Sequence, residues 1–179
     1  MKLPLQLEEI RERLEQAKLE AGRLTDGLSE AQLWRGPPAG GWSVGECLVH
    51  LNLVGDPYLP KWREALTSAR ATGPTGTGPF KFGFLGERFV RSQTLEGRNV
   101  GTSKIFEPQP DPDALARFLT LQDALLAISE EATGLDMARA TFRTPKLPLR
   151  LSLFEALNLL VVHQERHFAQ AARVRDSLS

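Results

Sequence analysis

Residues 152–171 read SLFEALNLLVVHQERHFAQA and carry the pattern of an amphipathic helix with two histidines on its apolar side. Ser152 and Glu155 stand at the spacing of a capping box, in which two side chains satisfy backbone N–H groups at the start of a helix. The box therefore predicts that the closing helix of the chain begins at Ser152. The apolar stripe of this helix runs through Ala156, Leu160, His163, His167, Ala171 and Val174.

His163 and His167 are four residues apart, which places both imidazoles on one helix face, one turn above the other. In that position both rings can reach one metal ion. The spacing alone is weakly specific, and two hydrogen-bonded, partly exposed histidines are the simpler interpretation. Gln164 occupies the position where the H-E-x-x-H motif of metalloproteases needs its glutamate base, so a protease of that class is disfavoured.

The remaining histidine, His50, lies on the apolar stripe of a different predicted helix. Ser43 and Glu46 form a second capping box, so this second helix is expected to begin at Trp42-Ser43. A single histidine on such a stripe is most often a structural core residue. Here all the histidines of the chain fall on inward stripes. Because unpaired imidazoles inside one bundle are costly to desolvate, a shared metal ion would remove that cost.

The rest of the chain predicts two more long helices. Apolar residues at three- and four-residue steps indicate a first helix between Leu3 and Leu28, followed by a short turn of helix capped by Ser29 and Gln32. The second helix should kink near Gly55-Asp56-Pro57, because proline removes an intrahelical hydrogen bond, and should end near Ala71. Asp111-Pro112 supplies an N-cap and an N1 proline for a third helix, which Gly134 is expected to end.

The segment from Gly73 to Pro110 is the part whose structure the sequence predicts least. It is rich in Gly, Pro and Thr at its start and contains one weakly amphipathic piece, from Phe80 to Gln93. We expect a long excursion with a short helix between the second and third helices. The pattern as a whole predicts an all-α four-helix bundle in a single domain over residues 1–179.

Composition narrows the classes of function. The 179 residues hold 22 Lys plus Arg and 22 Asp plus Glu, so the net charge offers nothing to attract nucleic acid. The most apolar stretch, from Leu149 to Val162, is broken by charged and polar residues and predicts no membrane span. Cys47 is the lone cysteine and excludes an internal disulfide, which favours a cytoplasmic location.

Three segments of this sequence resemble the DinB-like superfamily (DinB/YfiT type). Gly41-Trp42-Ser43, ahead of the helix that carries His50, is similar to the start of the family's second helix. The Leu28–Leu33 turn also matches. The closing helix, with His163, His167 and the following Gln170, resembles the family's last helix. The resemblance covers nearly the whole chain in order and spacing, whereas the Gly73–Pro110 excursion aligns with nothing in the family.

The resemblance implies that His50, His163 and His167 take the places of the family's three metal ligands. The metal would be one divalent ion, with zinc or nickel as first choices and iron or manganese as alternatives. Three histidines leave coordination positions open, as in catalytic sites. Family members include S-transferases and isomerases that use a low-molecular-weight thiol. We therefore expect a thiol-dependent S-transferase or a hydrolase that acts on a small molecule.

Three further side chains are candidates around this site. Glu46 could face the metal as a base, although the capping box offers it a structural role. Gln170 could contact a ligand histidine or the substrate, or be a solvated surface amide. Cys47 could be a soft ligand, although a buried apolar role suits it better. The competing hypothesis is a metal-stabilised or metal-free bundle that binds a ligand or a partner, and the family also suggests a homodimer.

Overall fold

The structure is a computed structural model that describes residues 4–73, 75–94, 104–144 and 149–178. Its α-helices over these residues are α1 (Leu5–Thr25), α2 (Glu30–Leu33), α3 (Val44–Gly55), α4 (Leu59–Thr72), α5 (Phe84–Ser92), α6 (Ala114–Glu131) and α7 (Leu153–Asp176). Two short 3-10 helices span Asp56–Tyr58 and Lys104–Phe106, and two short strands are β1 (Thr141–Arg143) and β2 (Arg150–Ser152).

The helices α1, α3, α6 and α7 form a four-helix bundle, which confirms the predicted fold class. Each of the helices α1 and α3 packs against both α6 and α7. Each helix turns its apolar stripe inward, because this is the arrangement that removes the stripe from water. The buried residues of α1 recur at the three- and four-residue steps that predicted the helix: Leu7, Ile10, Leu14, Ala17, Ala21 and Leu24.

The second predicted helix is broken at Pro57, where the sequence predicts a kink. The helix α3 ends at Gly55, a 3-10 turn follows over Asp56–Tyr58, and α4 continues to Thr72. Gly73 then ends α4 with a positive φ of 77°, a conformation that glycine adopts without strain. The capping box of Ser43 and Glu46 starts α3 as predicted.

The third bundle helix starts later than the sequence predicts. Asp111 does not act as its N-cap: the helix α6 begins at Ala114, with Asp113 in the cap position and no side-chain cap. The carboxylate of Asp111 instead accepts a hydrogen bond from the Asp113 N–H at 3.0 Å, which closes a turn ahead of the helix. The helix ends at Glu131, and Gly134 follows with a positive φ of 84°.

The excursion between α4 and α6 contains the short helix α5, as predicted, although its residues 74 and 95–103 lie outside the described part. A feature that the sequence did not indicate is the antiparallel hairpin of β1 and β2, in which Phe142 pairs with Leu151. The Phe142 ring contacts Tyr58 and Trp62 edge-on, with centroids 6.1 and 6.2 Å apart. The hairpin therefore packs against α4 and leads directly into α7.

The core consists of two apolar clusters stacked along the bundle. On α7 the change from the first cluster to the second falls between Val161 and Phe168, and His163 and His167 lie in that interval. These two histidines thus lie at a polar level of the bundle, between the two apolar clusters. None of the helices over the described residues is long and apolar enough to cross a membrane.

Candidate metal centre

The three histidines of the chain meet between α3 and α7. His50 comes from α3, and His163 and His167 come from successive turns of α7, with ring centroids 4.5 Å apart. One ring nitrogen of each histidine lies within 4.8 Å of the corresponding atoms of the other two. The Nε2 atoms of His50 and His163 are only 3.0 Å apart. The packing of α3 against α7 therefore brings together residues more than a hundred positions apart.

Each imidazole has an oxygen acceptor at its other nitrogen. The Nδ1 atom of His50 lies 2.9 Å from the backbone carbonyl oxygen of Phe106. The Nδ1 atoms of His163 and His167 lie 3.0 Å from Gln93 Oε1 and 3.2 Å from Gln170 Oε1. A carbonyl or amide oxygen only accepts, so each Nδ1 must carry the proton. The Nε2 lone pairs are then free to bind a metal, which is the tautomer that outer hydrogen bonds select in metal sites.

Burial keeps the three imidazoles neutral at physiological pH. Desolvation is the main cause for each ring: it lowers the pKa of His50, lowers the pKa of His163 well below its usual range, and lowers the pKa of His167 to about 3. The hydrogen bond to Phe106 opposes this effect in part for His50. The guanidinium of Arg166 adds to it, because its positive charge lowers the pKa of both His163 and His167.

This donor set fits a divalent metal ion. Neutral imidazoles protonated at Nδ1 leave no proton between the Nε2 atoms of His50 and His163, so two lone pairs face each other across 3.0 Å. A cation shared by these atoms turns that repulsion into attraction and offsets the desolvation of the rings. Imidazole is a ligand for zinc, nickel, copper and iron alike, so these residues indicate where a metal would bind but do not identify the metal.

Aromatic rings form one wall of the cluster. The ring of Trp42 lies 4.5 Å from that of His50 and 5.5 Å from that of His167, centroid to centroid. Phe106 contacts His50 edge-on at 6.4 Å. Gly41, whose φ of 120° suits only glycine, turns the chain just before Trp42. This turn and the adjacent helix cap hold the indole against the histidines and keep water from that side.

The predicted neighbours of the site have different roles. Glu46 serves the capping box: its carboxylate accepts from the Ser43 N–H at 2.8 Å, and its own N–H donates to Ser43 Oγ at 3.1 Å. Cys47 is buried outside the histidine group, and burial raises the pKa of its thiol to about 12. Gln170 contacts His167 as described above. The sequence pattern did not identify Gln93 or the Phe106 carbonyl as neighbours of the site. Both lie in the excursion, where the only structural signal in the sequence was the amphipathic piece that ends at Gln93.

Known proteins can be compared with this fold and site. The chain is similar to YfiT from Bacillus subtilis, a probable metal-dependent hydrolase with an unusual four-helix bundle topology. The two structures align with a TM-score of 0.63 and 19% sequence identity over 96% of this chain and 87% of that one. At that identity the likeness shows the fold. No curated protein gives a significant sequence match. The family profile of the DinB superfamily matches residues 6–171, and the chain therefore belongs to the DinB superfamily.

Proposed function

We propose that this protein is a metal-dependent enzyme that acts on a small molecule, with one divalent ion held by His50, His163 and His167. The observation that carries the proposal is the convergence of three neutral imidazoles whose Nδ1 atoms all face oxygen acceptors. Three protein ligands leave coordination positions for water or substrate, as in catalytic sites. When bound, such an ion supplies Lewis-acid chemistry and makes water or a thiol more acidic. Zinc and nickel are our first candidates.

The residues around the histidines favour hydrolysis or thiol transfer. Arg166 places a positive charge close enough to lower the pKa of two of the histidines, and the same charge would attract a thiolate or carboxylate. Trp42 shields one side of the site from water, which strengthens electrostatic interactions inside it. The description of YfiT as a probable hydrolase supports the first reaction, and the resemblance to thiol-dependent members of the family supports the second.

One observation favours a binding module as the second candidate. Among the described residues no carboxylate joins the histidine group, and the side chain of Glu46 is engaged in the cap of α3. A metal-dependent enzyme without a carboxylate base must rely on the metal and on substrate groups for proton transfer. A metal-stabilised bundle that binds a ligand without turnover needs no base at all.

Metal content tests the ligand assignment directly. Protein purified without a polyhistidine tag should contain about one divalent metal ion per chain by elemental analysis, and His163→Ala should remove most of it. Arg173→Ala is the matched control, because Arg173 is an exposed residue of the same helix. Equal metal content in His163→Ala and in the unmodified protein would refute the assignment.

Turnover separates the enzyme from the binding module. The metal-loaded protein should hydrolyse a member of a panel of small esters and amides, or consume an electrophile together with a low-molecular-weight thiol. The rate should fall with metal content in His163→Ala. Full metal occupancy with no turnover, together with saturable binding of a panel compound, would favour the binding module. The cytoplasmic location remains a prediction from the sequence, and the homodimer remains an expectation from the family resemblance.

A further inference from the structure

Two of the three oxygen acceptors behind the histidines come from outside the bundle. Gln93, which follows α5, faces His163, and the carbonyl of Phe106, in the second 3-10 turn, faces His50. Both belong to the excursion between α4 and α6. Only the third acceptor, Gln170, lies on a bundle helix. The bundle helices thus carry the three histidines, whereas two of the three oxygen acceptors that orient the imidazoles belong to the excursion.

The helix α5 is fastened to α7 by a buried carboxylate. Glu155, 7% exposed, uses one oxygen to cap α7 and the other to accept the Gly83 N–H at 2.8 Å. Gly86 faces the same carboxylate so closely that any side chain there would overlap it. At the other end of the segment, Arg166 donates to the backbone oxygen of Thr94 at 3.3 Å. These contacts place Gln93 at a defined position relative to His163.

The amide of Gln93 is oriented by its neighbour. The hydroxyl of Ser92 donates to the Phe89 carbonyl at 2.7 Å, which leaves its lone pairs as acceptors. The Nε2 group of Gln93 donates to that hydroxyl at 3.1 Å. The amide oxygen therefore points to the Nδ1 of His163, at 3.0 Å. An amide held at both ends is a prepared acceptor rather than a surface side chain that happens to lie nearby.

From these contacts we infer that Gln93 is a positioning residue of the metal centre. Its oxygen holds His163 in the tautomer and ring orientation that aim Nε2 at the metal, and α5 acts as the support that holds Gln93. The inference rests on the proposed function, since it needs a metal bound by the histidines. Loss of such an outer hydrogen bond usually lowers metal affinity by about 10- to 100-fold.

Cobalt binding measures this effect without reference to catalysis. The metal-free protein is titrated with Co²⁺ against a competing chelator, and the visible absorption of Co²⁺ reports the ligand set. Gln93→Met keeps the size of the side chain and loses the acceptor, so we expect affinity about 10- to 100-fold lower than in the unmodified protein. Gln93→Glu retains an oxygen acceptor and should bind at least as tightly as the unmodified protein. Arg91→Ala, an exposed change at the end of α5, is the control.

Each outcome distinguishes the inference from the proposed function. Equal affinity in Gln93→Met and the unmodified protein overturns the inference and leaves the three-histidine site intact. Equal losses in Gln93→Met and Gln93→Glu also overturn it, because they indicate packing rather than hydrogen bonding. If the unmodified protein binds no Co²⁺, both the inference about Gln93 and the proposed metal site are wrong. Should Gln93→Met fail to fold, Gln93→Leu provides the same comparison, with circular dichroism to verify folding.

Discussion

Acid should destabilise the metal-free protein through its histidines. In the folded state burial holds the pKa of His167 at about 3 and also lowers those of His50 and His163, whereas unfolded histidine titrates at its ordinary value of 6.5. Between the folded and unfolded pKa values the unfolded chain binds protons that the folded protein does not. The free energy of unfolding is therefore highest above about pH 6.5 and falls as the pH falls below it. Between pH 4 and 6 His167 changes the free energy of unfolding by about 1.4 kcal/mol per pH unit. The lowered pKa values of His50 and His163 act in the same direction, and even the contribution of one histidine is large beside the roughly 5–15 kcal/mol stability of a typical domain.

The assay is urea unfolding followed by circular dichroism at several pH values between 4 and 7, on metal-free protein. The comparison is with His167→Gln, which removes one buried titrating group. Carboxylates titrate in both proteins and cancel in the difference, and the chain has no histidine outside the cluster. The free energy of unfolding of the variant should therefore change less steeply, by about 1.4 kcal/mol per pH unit between pH 4 and 6. Parallel curves over that range would show that His167 is not held neutral by burial.

Two further predictions concern residues beside the site and in the core. Trp42 contacts two of the histidines, so binding of Cu²⁺ or Ni²⁺ should quench its fluorescence. Trp42→Phe should abolish that response and Trp62→Phe should retain it, whereas quenching that survives in Trp42→Phe would place the metal elsewhere. Gln122 is fully buried, and neither end of its amide has a hydrogen-bond partner among the described residues. Gln122→Met should raise the free energy of unfolding by about 1–2 kcal/mol in urea titrations, and a decrease would contradict this account.

The helices could be predicted because their signals are local. The capping boxes at Ser29, Ser43 and Ser152 are all present in the structure. Each joins a side chain to backbone groups three residues away, a geometry that depends on no distant contact. The start of α6 was misplaced because the local signal there is ambiguous. Asp111 can cap a helix or close a turn with similar chemistry, and the choice depends on where the apolar face of α6 must begin to cover the core.

The hairpin, and the way in which the predicted helix of the excursion packs, could not be predicted because they depend on contacts between residues far apart in the sequence. The strand β1 has three residues, with a single buried side chain, Phe142, and packs on aromatic rings more than seventy positions earlier in the chain. The helix α5 depends on Glu155, seventy-two positions away from Gly83. From the sequence alone Glu155 is fully explained as a helix cap. Its second contact appears only when α5 is folded against α7.

The same difference separates the ligands from the groups that orient them. A metal ligand must be one of a few residue types, and the chain contains only three histidines, so their pattern could be recognised in the sequence as a candidate ligand set. An acceptor for Nδ1 can be any oxygen. For His50 it is a backbone carbonyl, which every residue possesses and no sequence pattern can mark. Sequence patterns can therefore propose which residues would bind the ion. On the proposed assignment, the affinity for the ion would also depend on acceptors that sequence patterns do not distinguish. Replacing Gln93 should therefore change the affinity while the three proposed ligands stay in place.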